Sequence, residues 1–440
     1  MIWLIVLAVI ALALYPVLAI IVKILRSKRN LEFYRQQGAL VYFNAKMGFA
    51  AMYQKSHPEN QKVSNFEYLK HLTQKEGRGK FIAANVPAKP NCAIIFYDPK
   101  YIRDFILKEE YFIKKPLAPE IVEVLGAFYM NGDKAMHMRG IFSKVFSYEG
   151  MALFVPAICS LLASTFENFN KNHEIDSEKW TKVDISDVIE EVFKRFGNLM
   201  ISGHTSSELE PEMKQLWYHL ESCAANVFKL RTNIFFNMIP SIGRSLNLIK
   251  QLPAINFHLG EQRRIMKSYL EKQAKNSDHQ SACFLDRVIS HNNECEKEGN
   301  QKDTLSISDI IGNFNLFLFA GTDTSKNLSK MSICRMAGRP DIQKFLYSAQ
   351  AEIYDTNGQT TDQTLQSSEK LDMWMKEALR LHAPVKQTLF RVPTKNIQIA
   401  DVTVREGDYV IFAIDALNKD PSAFENPDTF DLTRFDSQKE

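Results

Sequence analysis

The sequence predicts a mainly α-helical protein with small β-sheets. Its 440 residues are 45% hydrophobic and 24% charged, the composition of a folded protein with a large core. Glycine (18) and proline (16) are used less than average, whereas phenylalanine reaches 30. Few turn formers and many rings favour long helices packed through aromatic side chains. The same composition excludes a disordered, collagen-like or disulfide-stapled chain.

The charge balance and the cysteines exclude further classes. There are 54 lysines and arginines and 51 acidic residues, a net charge of +3. This balance does not indicate a nucleic-acid-binding protein. The six cysteines are scattered without a Cys-x-x-Cys pair, so the spacing predicts neither a zinc site nor a disulfide framework. They are Cys92, Cys159, Cys223, Cys283, Cys295 and Cys334. This usage fits the reducing cytosol.

The start of the chain predicts a membrane anchor over residues 1–22. From Ile2 to Val22 no residue is charged, and the run matches the roughly 20 apolar residues that cross hydrocarbon. A cleaved signal peptide is the alternative, but its positive charges would precede a shorter apolar stretch. Here the basic residues follow the run, which places the rest of the chain on the cytoplasmic side. They are Lys23, Arg26, Lys28 and Arg29.

The remaining chain is predicted to hold a juxtamembrane linker over residues 23–60 and one folded domain over residues 61–440. Residues 93–97 predict a strand, and Asp98-Pro99 leads into a helix that ends before Pro116. The strongest amphipathic pattern covers residues 185–200, with Asp184 as the predicted N-cap. That helix is expected to face a core.

Later segments are predicted to alternate between loops, helices and a sheet. Residues 291–304 and 355–370 contain almost no apolar side chains, so we expect surface loops there. After Pro384 the chain changes to short alternating apolar runs, interrupted by Gly407-Asp408. This rhythm predicts a small β-sheet after the helical region.

Residues 308–325 form a capped, strongly apolar segment that ends in small and polar residues. Ala320-Gly321 and Asp323-Thr324 directly follow Leu-Phe-Leu-Phe. Gly321 would end a helix in one interpretation, with Asp323 or Thr324 capping the next one. In the other, small residues and a polar break let the helix lie close to a flat ligand. Both interpretations stay open at this point.

A second candidate segment pairs an acid with a base. Glu377 and Arg380 are three residues apart and share a helix face, where such a pair is usually solvated. The apolar neighbours Trp374 and Leu381 instead indicate burial, and a buried charge needs a partner. Arg434 could supply a third member.

Taken in chain order, these segments resemble the cytochromes P450, a family of haem-thiolate monooxygenases, from about residue 30 to residue 440. Residues 320–325 (Ala-Gly-Thr-Asp-Thr-Ser) match the oxygen-activation motif on the long central helix of that family. Residues 377–380 match its Glu-x-x-Arg helix, and residues 430–435 match its Phe-x-Pro-x-Arg-Phe segment. The resemblance therefore implies a cytochrome P450-like fold.

The resemblance also implies roles around a haem. Asp323 and Thr324 would organise the distal waters that protonate bound dioxygen, and Ala320 and Gly321 would leave room for it. Arg139 and Arg391 resemble the arginines that bind the haem propionates. Ala135 stands where the family has the tryptophan of Trp-x-x-x-Arg, so one propionate donor is missing.

Glu377, Arg380 and Arg434 would form the structural triad of the family on the proximal side of the haem. In the Phe-x-Pro-x-Arg-Phe segment, Leu432 replaces proline. The Phe-x-x-Gly-x-x-x-Cys-x-Gly loop that supplies the thiolate ligand is not found up to Glu440, and no cysteine present lies in such a context. We therefore expect a fold without the haem-ligand loop and last helix, and no metal ligand in this sequence.

The implied function is oxidation of a small apolar organic molecule with O2 and electrons from an NADPH-dependent reductase. Haem b would be the cofactor, bound weakly or not at all by residues 1–440, which we expect to be inactive. The implied location is the endoplasmic reticulum membrane, single-pass, in contact with membrane lipid and with the body in the cytoplasm. One alternative is a haem-free, membrane-anchored scaffold or apolar-ligand-binding pseudoenzyme. The other is an anchored helical protein with no enzymatic role.

Overall fold

The computed structural model of the protein describes residues 2–44, 80–86, 89–116, 120–173, 184–203, 211–230, 233, 240–273, 283–354 and 358–436. Within them the chain is mainly helical with two small sheets, so the predicted fold class is confirmed. The chain forms two compact units. The first unit comprises Met1–Pro116, Ala224–Ile255 and Lys386–Ala423, and the second comprises Leu117–Cys223, Asn256–Val385 and Phe424–Glu440.

The regular elements of the described residues are numbered here in chain order. The helices are α1 (Ile2–Arg35), α2 (Pro99–Ile106), α3 (Glu120–Leu125), α4 (Gly132–Ser143), α5 (Tyr148–Ala152), α6 (Val155–His173), α7 (Ile185–Ser202), α8 (Pro211–Leu230), α9 (Pro240–Ser245), α10 (Gln251–Gln273), α11 (Phe284–Lys297), α12 (Ile307–Met336), α13 (Pro340–Ala349), α14 (Asp362–Ser367), α15 (Glu369–Leu381) and α16 (Ile414–Leu417). The strands are β1 (Ala39–Tyr42), β2 (Phe81–Asn85), β3 (Cys92–Phe96), β4 (Phe112–Lys114), β5 (Arg391–Pro393), β6 (Ile397–Ile399), β7 (Val402–Val404) and β8 (Tyr409–Phe412).

The first unit is built on a six-stranded mixed sheet with the order β1-β2-β3-β8-β5-β4. Its central strands β2, β3 and β8 are buried on both faces, which explains their nearly continuous apolar sequences. Strand β3 and helix α2 lie where the sequence predicts a strand followed by a helix. The small sheet expected after Pro384 is also present, as β5 and β8 here and as the separate hairpin β6–β7.

The C-terminal end of α1 is fixed to this sheet by a buried hydrogen bond. The Tyr34 hydroxyl donates to Asp408 Oδ2 at 2.5 Å, and the Cys92 backbone N–H donates to Asp408 Oδ1 at 2.8 Å. Burial raises the pKa of the Asp408 carboxyl above its usual range, although the Tyr34 bond and the charge of Arg405 oppose this rise. The helix that carries the apolar run is therefore joined firmly to the first unit.

Helix α1 contains the predicted anchor and continues into the predicted linker as far as Arg35. Among the residues that the structure describes, no helix is both long and apolar enough to cross a membrane. The side chains of residues 1–13 and all of residues 45–79 lie outside the described residues. The anchor and the linker boundaries thus stay predictions.

The second unit is organised around α12, whose first half is buried. Ser306 and Asp309 form a reciprocal capping box that fixes the start of this helix. A Cβ atom at Gly312 would lie 2.9 Å from Gly126 Cα, so only glycine lets the two backbones approach this closely. The buried Asn315 side chain exchanges two amide hydrogen bonds with Gln262, at 2.7 and 2.9 Å.

Helix α7 packs beside α12 and matches its prediction. It covers Ile185–Ser202, and Asp184 caps it by accepting from the Ser186 N–H at 2.8 Å.

The predictions of surface loops at residues 291–304 and 355–370 were partly wrong. Helix α11 runs on to Lys297 because Cys295 and its neighbours still bury one face, and α14 forms on a capping box at Thr361. Polar composition marks exposure in these segments and does not prevent a helix.

Candidate functional site

A cavity of about 200 Å³ lies in the second unit, against the second half of α12. Helix α12 is continuous through this region, so the interpretation in which Gly321 ends a helix is wrong, and no break in the helix occurs there. The lining is almost entirely apolar and includes a cluster of the aromatic rings of Phe146, Phe284 and Phe317. The ring centroids of Phe146 and Phe317 are 4.5 Å apart. The cavity is smaller than the roughly 300–1,000 Å³ of whole-ligand pockets, so it suits one part of a larger ligand.

Gly321 is the predicted residue that lines this cavity. A Cβ atom at this position would meet nothing within 4 Å, whereas a Cβ atom at Gly312 would lie 2.9 Å from Gly126 Cα. The backbone at Gly321 therefore faces open space. A flat or bulky apolar group has room there that a larger side chain would remove.

Asp323 lies away from the cavity, and its side chain is 46% exposed. Its carboxylate lies 3.3 Å from Lys326 Nζ, which is also 3.9 Å from Glu190 on α7. The Asn327 side-chain amide donates to it at 3.4 Å. Asp323 is thus held weakly at a half-solvated surface.

Ala320 and Thr324 are linked to each other, because the Thr324 hydroxyl donates to the Ala320 carbonyl at 2.7 Å. Both are half-buried, and neither lines the cavity. The motif residues 320–324 are therefore split between two sides of α12. Gly321 faces the cavity, while Asp323 and Thr324 do not.

Sequence reasoning missed the polar residues that do line the cavity, Thr322 and Ser325. The Thr322 hydroxyl donates to the Leu318 carbonyl one turn earlier, which satisfies it within the helix. Phe317 lies four residues before Gly321 and Ser325 lies four residues after Gly321, so all three share one helix face. That spacing was the signal available in the sequence.

The second candidate segment forms a buried ion pair on α15. Glu377 is 0% exposed and Arg380 3% exposed. Two parallel hydrogen bonds join them, from Arg380 Nε to Glu377 Oε2 at 2.7 Å and from Nη2 to Oε1 at 2.8 Å. This bidentate geometry is the strongest form of the arginine–carboxylate pair.

Arg434 approaches the same carboxylate from the 3₁₀ turn Leu432–Phe435, with its Nε 3.5 Å from Glu377 Oε1. Both arginines also bind backbone carbonyls: Arg380 Nη1 donates to Pro427 at 2.7 Å, and Arg434 Nη1 to Glu425 at 2.8 Å. The backbone N–H of Asp431 donates to Glu377 at 2.9 Å. The cluster thus fixes the course of residues 425–434 against α15.

The two arginines predicted to bind propionates differ in their surroundings. Arg139 is exposed on α4, at the edge of the face that buries Ala135 and Met138, and no described residue forms an ion pair with it. Arg391, at the start of β5, lies 3.8 Å from the Glu109 carboxylate through its Nη2. They belong to the second and first unit respectively.

A family model describes this arrangement of segments. The model of cytochrome P450 matches residues 65–440, which contain the α12 motif, the α15 ion pair and the segment around Arg434. The chain belongs to the cytochrome P450 family. The predicted family resemblance is confirmed.

Relatives of this P450 chain include mammalian members of the family. It is 28% identical to cytochrome P450 3A29 of Sus scrofa over 203 residues, which are 46% of this chain and 39% of that protein. It is 31% identical to cytochrome P450 3A11 of Mus musculus over 156 residues, 35% of this chain and 30% of that protein. The matched part of the chain thus spans less than half the length of these relatives.

A solved structure of the family supports the fold. The heme domain of a mutant cytochrome P450DA superimposes with a TM-score of 0.65 at 16% identity, over 88% of this chain and 80% of that one. At this identity the likeness concerns the fold alone.

The residues near Gly321 suit one edge of a flat apolar group such as haem. An added Cβ at Gly321 meets open space and the cavity lining is apolar, but about 200 Å³ holds only part of a macrocycle. All six cysteines are free, and five of them are buried or half-buried. Cys92 begins β3, Cys283 precedes α11 as its N-cap, and Cys159, Cys223 and Cys295 lie within helices. Cys334 is exposed on α12. None stands in the family's ligand motif, so the fit extends to the distal residues only.

Proposed function

We propose that the protein is a haem-dependent monooxygenase that oxidises a small apolar organic molecule with O2. Electrons would come from an NADPH-dependent reductase, as the family generally requires. The observation that supports this most is the open apolar cavity against Gly321, within the oxygen-activation motif of the central helix. Membership of the family supports haem b as the cofactor.

When bound, haem with a thiolate ligand supplies the chemistry that cleaves dioxygen and oxygenates an unactivated C–H bond. The task of this chain is to hold the group and to control access. Arg139, exposed and without an ion-pair partner among the described residues, is suited to bind a propionate carboxylate.

Asp323 and Thr324 would organise water on their own side of α12, which is not the side of the Gly321 cavity. Lys326 holds the half-exposed Asp323 carboxylate at 3.3 Å. The Thr324 hydroxyl already donates to Ala320, so its oxygen can accept a hydrogen bond from a water that links it to Asp323.

The Glu377 cluster would serve a structural role. Its carboxylate accepts two hydrogen bonds from Arg380 and one from the Asp431 N–H, Arg434 lies 3.5 Å away, and no part of it is exposed to solvent. Such a group is enclosed by donors and has no contact with water. It would hold residues 425–434 rigid beneath the cofactor.

We also propose that residues 1–22 anchor the chain in the endoplasmic reticulum membrane, with the body facing the cytoplasm. The uncharged run from Ile2 to Val22 and the four basic residues after it support this topology. Protease added to sealed microsomes should digest the body. A protected, glycosylated body would contradict the proposal.

The polypeptide of residues 1–440 on its own should bind haem weakly and fail to oxygenate, because its cysteines lack the ligand context. The test is a carbon monoxide difference spectrum after reduction with dithionite. We expect no thiolate-type Soret band from residues 1–440. The band should appear if an in-frame continuation of the coding sequence supplies Phe-x-x-Gly-x-x-x-Cys and is expressed with them.

Two outcomes would contradict this account. A normal thiolate-type band from residues 1–440 would show that one of the six cysteines present ligates iron. A continuation that carries the motif but gives no band would favour the haem-free scaffold or binding protein.

A further inference from the structure

Two histidines on neighbouring helices of the second unit point at each other. His219 on α8 and His258 on α10 have their Nδ1 atoms 2.9 Å apart, with ring centroids separated by 5.2 Å. One turn away, the Gln262 amide donates to the Leu216 carbonyl at 3.3 Å and ties the same two helices together. The contact is therefore part of a fixed helix pair.

The histidine pair is surrounded by apolar side chains on one side and exposed to solvent on the other. His219 is 9% exposed, whereas His258 is half-buried. The Tyr218 and Phe257 rings flank them edge-on, with centroids 6.0 Å from His258 and 6.4 Å from His219 respectively. Both rings are largely exposed, so the open side of the pair reaches solvent.

Burial keeps both imidazoles neutral near pH 7. It lowers the pKa of His219 and of His258, and the charge of a protonated His258 lowers the pKa of His219 further. The Glu261 carboxylate opposes this shift for His219, and the Arg264 guanidinium adds to it. Neutral imidazole is the form in which histidine ligates metals.

A single proton can occupy the space between two neutral Nδ1 atoms. To place it there, one of the rings must carry its proton on Nδ1, leaving its Nε2 as an acceptor. A cation between the rings removes this constraint, because both Nδ1 lone pairs then bind it and both Nε2–H groups remain donors.

We propose that His219 and His258 form a binding site for a divalent transition-metal ion such as Zn²⁺, Ni²⁺ or Cu²⁺. Zinc–nitrogen bonds of about 2.0–2.1 Å in a tetrahedral arrangement place two ligand nitrogens roughly 3.3–3.4 Å apart. The observed 2.9 Å requires the rings to separate by only a few tenths of an ångström. Water on the open side completes the coordination.

The site has two protein ligands. No group of three or more histidine, cysteine or acidic side chains able to hold a metal occurs in the described part of the chain. Glu261, one turn after His258, supplies negative charge near the site, although its Oε2 also accepts from Arg264 at 2.9 Å. A two-ligand site exchanges its metal readily and acts as a reversible clamp between α8 and α10.

The test uses the full chain in detergent, without a polyhistidine tag, and measures its melting temperature during titration with Zn²⁺. We expect a saturable rise of about 2–5 °C. His258→Asn and His219→Asn should each abolish it, since the asparagine amide reproduces the position of Nδ1 and can keep the hydrogen bond but is not an imidazole ligand. Without metal, these variants should melt close to the parent.

His137→Asn is the matched control, because this histidine contacts the ring of His291 elsewhere in the same unit. It should retain the full response to Zn²⁺. In addition, electron paramagnetic resonance with Cu²⁺ should show two nitrogen ligands in the parent and fewer in His258→Asn. The proposal is overturned if the parent does not respond, if both asparagine variants respond fully, or if only His137→Asn abolishes the response.

Discussion

The Glu377 cluster and the Gly321 segment belong to the same unit, but they differ in how far their motif residues are buried and paired. At the first, the Glu377 carboxylate and the Arg380 guanidinium are paired by two hydrogen bonds and are almost completely buried. At the second, the backbone faces open space, and the nearby carboxylate of Asp323 is half exposed beside a single lysine. The first region resists change, and the second leaves room for a ligand and for protons.

This difference shows how burial separates structural from chemical carboxylates. A carboxylate that is fully desolvated must be paired and hydrogen-bonded, and donors then enclose it away from water. A carboxylate at a half-solvated helix surface costs little and can exchange protons. Glu377 meets the first description and Asp323 the second.

The largest effect is expected from Glu377→Ala. It would leave two guanidinium groups without their carboxylate and should lower the free energy of unfolding by about 3–5 kcal/mol. Urea unfolding followed by circular dichroism measures this. The matched control is Lys376→Ala, whose exposed pair with Asp372 should contribute no more than about 0.5 kcal/mol. Equal effects of the two substitutions would show that the cluster is not desolvated.

Glycine-to-alanine changes at two positions of α12 should have opposite signs. Gly312→Ala places a methyl group 2.9 Å from Gly126 Cα and should destabilise the protein by about 1–3 kcal/mol. Gly321→Ala meets open space and should stabilise the helix by up to about 1 kcal/mol. Thermal melts of the two variants make the comparison. Destabilisation by Gly321→Ala would mean that the space beside it is already filled.

The smallest effect on stability is expected from Asp323→Asn. Because the carboxylate is half exposed, its loss should change the free energy of unfolding by less than about 0.5 kcal/mol. In a longer chain whose continuation supplies the thiolate ligand, the same change should lower kcat and raise the solvent isotope effect. Unchanged kcat with a large loss of stability would assign Asp323 a structural role.

The sequence predicted the elements that depend on interactions between residues close together in the chain. Helix α7 and its cap Asp184 follow from apolar spacing and a side-chain acceptor, and the pairing of Glu377 with Arg380 follows from a three-residue separation. The approach of Arg434, 57 residues after Glu377, carries no local signal; the sequence offered Arg434 only as a possible third charge, and the family resemblance assigned it to the triad.

Other features depend on distant parts of the chain or on helix phase. Gly312 needs to be glycine because Gly126, 186 residues earlier, touches it. Asp323 follows Gly321 by two residues, about 200° around a helix, so neighbours in the motif face different sides. Counting residues along α12 separates them, whereas the motif as a string of letters does not.

The most direct test of the account is a hemin titration of the full chain in detergent, followed by the Soret absorbance. Gly321→Leu directs its side chain from a position where an added Cβ meets no atom within 4 Å toward the apolar cavity, so the variant should keep the circular dichroism spectrum of the parent. Asn327→Leu adds the same side chain at an exposed position of α12 that does not line the cavity. We predict saturable binding by the parent and by Asn327→Leu, and an affinity at least about tenfold lower for Gly321→Leu. Equal affinities in all three proteins would contradict the claim that this face of α12 is the wall of the haem site.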